Sequence, residues 1–156
     1  MEKIALFVDV QNVYYTTRDA YQRRFDYNAF WRQVTAGREV VQAVAYAIDR
    51  GDKKQQEFQN ILRAIGFEVK LKPFIQRQDG SAKGDWDVGI TIDVMEAQAQ
   101  VDTVVLVSGD GDFALLADHV GRKGTGFEVY GVPNWTAQSL AKAASQFHAI
   151  EEPLLL

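Results

Sequence analysis

Two runs of consecutive apolar residues, Ile4-Ala5-Leu6-Phe7-Val8 and Val104-Val105-Leu106-Val107, most narrow what this chain can fold into. A strand that is apolar at every position has no side to give to water, so both of its faces are buried. Such strands belong to parallel sheets covered by helices on either side. Each run then breaks into carboxylates. The first meets Asp9 within FVDVQN (7–12), and the second meets Asp110 and Asp112 within VSGDGDF (107–113). If both strands are parallel, these acids gather at the carboxyl edge of the sheet, where open α/β sheets place their binding sites. Crowded carboxylates repel one another and resist ionisation unless a cation compensates them. A divalent metal is therefore the first ligand to consider.

Strand-like and helix-like segments alternate along the rest of the chain. Residues 3–9 read as a buried strand, and 26–37 as a helix entered by Asp26 and closed by Gly37. The Val- and Ala-rich stretch 40–48 reads as a second strand. Asp52 suits the N-cap of a helix running to Ile65, with Gly66 as its stop. Residues 67–71 (FEVKL) alternate as a half-exposed strand does. A polar loop over 76–84 leads to an amphipathic helix over 85–98, whose Val88, Ile92 and Met95 form the face expected to pack on the sheet. A strand at 103–107, a helix at 112–121, a strand at 126–132, a helix at 136–144 and a short strand at 147–150 complete the order. This rhythm predicts an α/β fold, a mostly parallel sheet with helices on both faces. With 156 residues and no internal repeat or linker, the chain reads as one domain over 1–150 with a C-terminal tail at 151–156.

Composition removes several function classes. Without cysteine there are no disulfides, no thiol catalysis and no cysteine-ligated zinc, which suits a reducing cytoplasm. No apolar run approaches a membrane span, and the opening Met-Glu-Lys-Ile lacks a signal-peptide pattern. The expectation is a cytoplasmic protein without a membrane partner. A net charge of −4 gives no chain-wide bias toward nucleic acid, although a local patch is still compatible with it.

The acidic residues differ in how well structure alone explains them. An Asp after a strand often caps the next turn, but the strand-end position of Asp9 favours a functional role. No glycine-rich phosphate cradle follows it, which excludes a dinucleotide-binding fingerprint. Asn12 is spaced to turn its amide toward whatever Asp9 binds. Around Gly111, Asp112 is a good N-cap for the helix that follows, which leaves Asp110 as the stronger candidate ligand. An EF-hand fails because apolar Ala114-Leu115-Leu116 stand where oxygen ligands are needed. The third acidic group is KGDWDV (83–88) with Asp93. On one helix Asp87 and Asp93 lie about a third of a turn apart, able to border one cleft but not to share a stripe. Asp93, next to the expected buried face, needs a partner or a metal. Lys83 is placed to pair with Asp87 or to meet a phosphate.

Lys53, Lys54, Arg63, Lys70, Lys72, Arg77 and Lys83 make a local basic run, with Phe74 and Trp86 nearby. Such a run is either a solvated face or a groove for a phosphate backbone. Tyr14, Tyr15, Tyr21 and Trp31 are candidate base-stacking residues, Trp31 more in keeping with the core. Ser108 has no histidine at hydrolase spacing. A haloacid-dehalogenase pattern wants an Asp where Gln11 stands, and a receiver domain lacks its paired early acids.

FVDVQN, KGDWDV with Asp93, and VSGDGDF, in that order, resemble the NYN domain family (the DUF88 or LabA-like group), which is related to PIN-domain nucleases. The family shows a first strand ending in D-x-x-N, a K-G-x-D-V-x-L-x-x-D helix and an S-G-D-x-D-F motif. These patterns fall on Asp9 and Asn12; on Lys83, Gly84, Asp87 and Asp93; and on Ser108, Gly109, Asp110, Asp112 and Phe113. Asp85-Trp86 adds a residue to the second motif, and Ser145-Gln146-Phe147 stands where the family often has an Asp before its final Phe. The resemblance implies a three-layer α/β/α sandwich with a PIN-like, Rossmann-like sheet. It also implies metal-dependent hydrolysis of RNA. Asp9, Asp87, Asp110 and Asp112 would hold Mg²⁺ or Mn²⁺ and form the catalytic set, with Asp93 as an outer or additional ligand. Asn12, Ser108 and Lys83 would position water or phosphate. Single-stranded RNA is the expected partner, and the oligomeric state stays open, a homodimer included. The rival expectation is a non-catalytic RNA-binding or regulatory protein that keeps the acidic site.

Overall fold

The computed structural model describes residues 1–73, 75, 76, 82, 83 and 85–156, with backbone alone at 75, 76, 82 and 83. The chain runs β1 (Glu2–Asp9), α1 (Val10–Tyr21), α2 (Tyr27–Thr35), β2 (Arg38–Asp49), α3 (Lys53–Ile65) and β3 (Glu68–Pro73). Two short strands, β4 (Ile75–Gln76) and β5 (Ala82–Lys83), pair antiparallel with each other. Then come α4 (Asp87–Ala97), β6 (Thr103–Val107), α5 (Ala114–Arg122), β7 (Gly126–Gly131), α6 (Gln138–Ala143) and β8 (Gln146–Ala149). The long strands make one six-stranded sheet in the order β3-β2-β1-β6-β7-β8, every neighbouring pair parallel.

The two apolar runs are the central pair, β1 beside β6, in register from Ile4 opposite Thr103 to Val8 opposite Val107. Alternate side chains of a strand point to opposite faces. Ile4, Leu6, Val8, Val105 and Val107 enter one core with Val13, Phe30 and Leu62 from α1, α2 and α3. Ala5, Phe7, Val104 and Leu106 enter the other with Ile90, Phe113 and Leu140 from the α4–α6 side. The chain steps outward from β1 through β2 to β3, then crosses back to β6 and steps outward the other way. Crossovers of one hand running in opposite directions put their helices on opposite faces. The result is a three-layer α/β/α sandwich whose strand order reverses between β1 and β6.

Local signals set most element ends. Asp26 and Asp52 cap α2 and α3, their carboxylates accepting the N–H groups of Ala29 at 3.0 Å and Gln55 at 2.8 Å. Gly66 ends α3 at φ +140°, and a Cβ there would stand 2.7 Å from the Trp31 ring. Residues 151–156 dock beside the entry to α2. Leu154 and Leu155 are buried, and the Asp26 N–H donates to the Leu154 carbonyl at 2.8 Å. No helix among the described residues is long and apolar enough to cross a membrane.

Two features depart from the sequence reading. First, α1 begins directly after Asp9, where no helix is expected. Its sequence is rich in Val, Tyr and Thr, poor helix formers, and among its residues only Val13 and Thr17 are fully buried. The hydroxyls of Thr16 and Thr17 satisfy themselves by donating back to the carbonyls of Asn12 and Val13, each at 2.8 Å. Second, α4 packs on the sheet through Ile90, Val94 and Ala97, whereas Val88, Ile92 and Met95 are 70%, 51% and 46% exposed. The helix carries two apolar stripes, so periodicity does not choose between them. At about 100° per residue, Asp87 shares the stripe of Ile90 and Val94 and lies well around the helix from Ile92. The observed rotation therefore turns Asp87 toward the sheet.

Ile90→Ala is expected to lower the unfolding free energy by about 2–5 kcal/mol, and Ile92→Ala by about 0.5 kcal/mol or less. Denaturant melts of the two variants check this. The reverse ranking would mean that the other stripe packs on the sheet.

Candidate metal centre at the carboxyl edge of the sheet

Strand order reverses between β1 and β6, and the crevice outside their carboxyl ends is where open α/β sheets bind ligands. The β1–β6 register brings Asp9 opposite Ser108, one step beyond the Val8–Val107 pair. Asp9 is buried, 8% exposed. The Ser108 hydroxyl donates to its Oδ2 at 3.1 Å and accepts the Asp110 N–H at 3.2 Å. From the first turn of α1, the Asn12 Oδ1 accepts the Gly109 N–H at 2.8 Å. A Cβ on Gly109 would stand 2.6 Å from the Trp135 carbonyl oxygen, so the tight approach of these loops needs glycine. Asn12 and Ser108 thus tie together the two loops that leave the central strands.

Asp110 rather than Asp112 is the helix cap here. Its Oδ1 accepts the Asp112 N–H at 2.9 Å and opens the 3₁₀ turn Gly111–Phe113 that leads into α5. The sequence alone points to Asp112 as the cap. The turn starts two residues earlier than an Asp112 cap implies, which moves the cap to the preceding acid and leaves the Asp112 carboxylate exposed.

Asp87, in the first turn of α4, joins this edge from the opposite element. One carboxylate oxygen each of Asp87, Asp110 and Asp112 lies within 4.8 Å of the others. Burial, then the charge of Asp110, pushes Asp87 up to about 7. Asp9 is pushed up to about 6, chiefly by burial, with Asp110 and Asp85 adding to the rise and the Ser108 hydroxyl and Asn12 backbone opposing it. Both shifts come first from burial, and the charge of Asp110 adds to each. An all-oxygen donor set of this kind fits hard divalent cations such as Mg²⁺ and Mn²⁺. Asp87, Asp110 and Asp112 are the residues that could hold one; Asp9 is not part of this close group.

The remaining candidates are dispersed. Asp93 stands apart from the trio: its Oδ2 accepts the Tyr46 hydroxyl at 2.7 Å and the Lys70 ammonium at 2.7 Å. Lys83 lies in β5 opposite Ile75, and its side chain is outside the described residues, as are Phe74, Arg77 and Gly84. The basic run divides. Lys53, Lys54 and Arg63 sit on α3, while Lys70 and Lys72 of β3 reach toward α4. Tyr14 and Tyr15 are exposed on α1 with the Arg18 guanidinium 5.7 and 4.8 Å from their ring centres. The Tyr21 hydroxyl donates to the Ile150 carbonyl at 2.7 Å, and Trp31 packs edge-on against Phe67. Sequence reading missed Tyr46 and Lys70 as the partners of Asp93. The available signal was Lys70 and Lys72 at alternate positions of a half-exposed strand, which must share one face.

A family model described as NYN domain matches residues 3–151. The chain belongs to the NYN domain family. It is 27% identical over 154 residues to the low amplitude and bright protein LabA of Synechococcus elongatus, covering 93% of this chain and 82% of that protein. It is also similar to a crystal structure of a protein of unknown function from Vibrio parahaemolyticus, at 58% identity and a TM-score of 0.95, covering 99% of this chain and 96% of that one. The acidic edge thus lies within the NYN domain.

The raised carboxyls give this NYN domain a signed pH response without metal. A carboxyl whose folded pKa lies above its unfolded value contributes stability that is full at low pH and lost as pH rises through the folded value. In EDTA, wild type should lose melting temperature relative to Asp87→Asn steadily as pH rises from 5 to about 7, and the difference should level off above that. Mg²⁺ at pH 8 should restore it. A difference between the two proteins that is flat in pH would show that the Asp87 carboxyl is not raised in the folded protein.

Proposed function

We propose that this NYN domain is a metal-dependent ribonuclease that hydrolyses phosphodiester bonds of single-stranded RNA. The observation that carries the reading is the trio of Asp87, Asp110 and Asp112 within 4.8 Å at the strand-order reversal. NYN domains are grouped with PIN-like nucleases, which makes nucleic acid the substrate class to expect there. The trio would hold Mg²⁺ or Mn²⁺, and Asp9 would complete the acidic set. Bound there, the cation neutralises the carboxylates and supplies Lewis acidity toward a phosphoryl oxygen and toward water.

The protein's own side chains hold this arrangement in place. Ser108 fixes the Asp9 carboxylate, and Asn12 fixes Gly109, so the carboxylates sit on loops joined by hydrogen bonds. Asp110 is held by its cap to Asp112. In the overall reaction a water oxygen forms a new bond to phosphorus, the bridging P–O bond breaks, and the departing oxygen leaves with a proton. Lys83 is assigned, on its motif position, to a substrate phosphate. A cysteine-free chain doing this chemistry suits a reducing cytoplasm.

The test is cleavage of a labelled single-stranded RNA panel with Mg²⁺ or Mn²⁺. Wild type should give products that EDTA abolishes. Asp87→Asn and Asp110→Asn, shown folded by circular dichroism, should slow cleavage about 100-fold or more, since several kcal/mol of charge stabilisation is at stake. Retention of RNA without products would favour a binding or regulatory module. Cleavage at the wild-type rate by both variants would move the chemistry elsewhere.

A further inference from the structure

Trp86 stands between two acids, Asp85 and Asp87, at the mouth of α4, where the chain carries one residue more than the family motif. Its surroundings are unusually specific for a residue outside the acidic trio. The indole N–H donates to the Ala47 carbonyl of β2 at 2.9 Å. The ring lies 5.3 Å from that of Tyr46, on the same strand. On the helix side, a Cβ on Gly89 would stand 2.7 Å from the indole, so only glycine leaves room for it. The Lys72 ammonium of β3 sits 4.5 Å from the ring centre and also donates to the Asp85 carbonyl at 3.0 Å. Further along the helix, Tyr46 and Lys70 hold Asp93.

These contacts all join one short stretch, Asp85 through Asp93, to the ends of β2 and β3. Asp87 lies inside that stretch and faces Asp110, whose charge it must tolerate. The apolar grip of α4 is thin, resting on Ile90, Val94 and Ala97 with its other apolar stripe in solvent.

We propose that Trp86 and Lys72 are positioning residues that hold Asp87 beside Asp110 and Asp112, and so set the affinity of the trio for a divalent cation. The proposal rests on the metal-binding reading above. Its sign separates it from simple electrostatics. Lys72 is a positive charge near an acidic cluster, so losing it should by itself strengthen cation binding. A positioning role predicts the opposite.

The experiment is Mn²⁺ titration of the intact chain by calorimetry. Lys72→Met keeps the apolar stem and should weaken Mn²⁺ about tenfold, as loss of an orienting partner does in metal sites. Trp86→Phe, which keeps a ring and removes the N–H donor, should act in the same direction. Lys72→Arg keeps a cation over the indole and should restore affinity. Melting curves confirm the fold of each variant, and Lys72 carries the test if Trp86→Phe does not fold. Wild-type or tighter Mn²⁺ binding by Lys72→Met overturns the positioning role. No binding by wild type overturns the metal reading itself, and the proposal with it.

Discussion

The pairing of β1 with β6 is the contact on which everything else in this molecule depends. Both strands are apolar at almost every position and buried on both faces, so neither has a stable alternative to the middle of a parallel sheet. Their register also brings the Asp9 and Ser108 ends side by side. The chain leaves β1 in one direction and β6 in the other, so the strand order reverses between them and a crevice opens outside their carboxyl ends. The acidic edge is a consequence of that topology, and α4 closes it from one side.

That edge is held together against its own charge. Two unit charges about 4.8 Å apart at an effective dielectric near 20 repel by about 3 kcal/mol, less for Asp112 in open solvent. A single hydrogen bond returns about 1 kcal/mol, and a cation over a ring about 0.5–1 kcal/mol at an exposed site. No one contact is enough. The observed arrangement uses several: the Asp110 cap, the Ser108 and Asn12 bridges, the Trp86–Ala47 bond and the two β3 lysines. Several contacts thus keep the acids together at one edge of an NYN domain.

How much of this could be read from the sequence follows from the range of the interactions involved. The apolar runs, the Asp26 and Asp52 caps and the Gly66 stop are local signals, and each stands at the expected place. Helix α1 was hidden because its Val, Tyr and Thr residues suit a strand better, and its stability comes from following β1 directly and burying Val13 and Thr17. The α4 rotation was hidden because two stripes were equally apolar, and only the sheet distinguishes Ile90 from Ile92. The capping role falls on Asp110 because the turn starts two residues earlier than an Asp112 cap implies. The partners of Asp93 lie 47 and 23 residues away, beyond any local pattern. The sequence picks out the acids as candidates; which of them come together is a property of the fold.

The central claim is that Asp87, Asp110 and Asp112 form a divalent cation site. Anomalous diffraction from a crystal soaked in Mn²⁺ tests it most directly. The account predicts a manganese peak among the carboxylate oxygens of those residues, on the side facing Asp9. An empty cluster in a soaked crystal, with the carboxylates where they stand here, would contradict it.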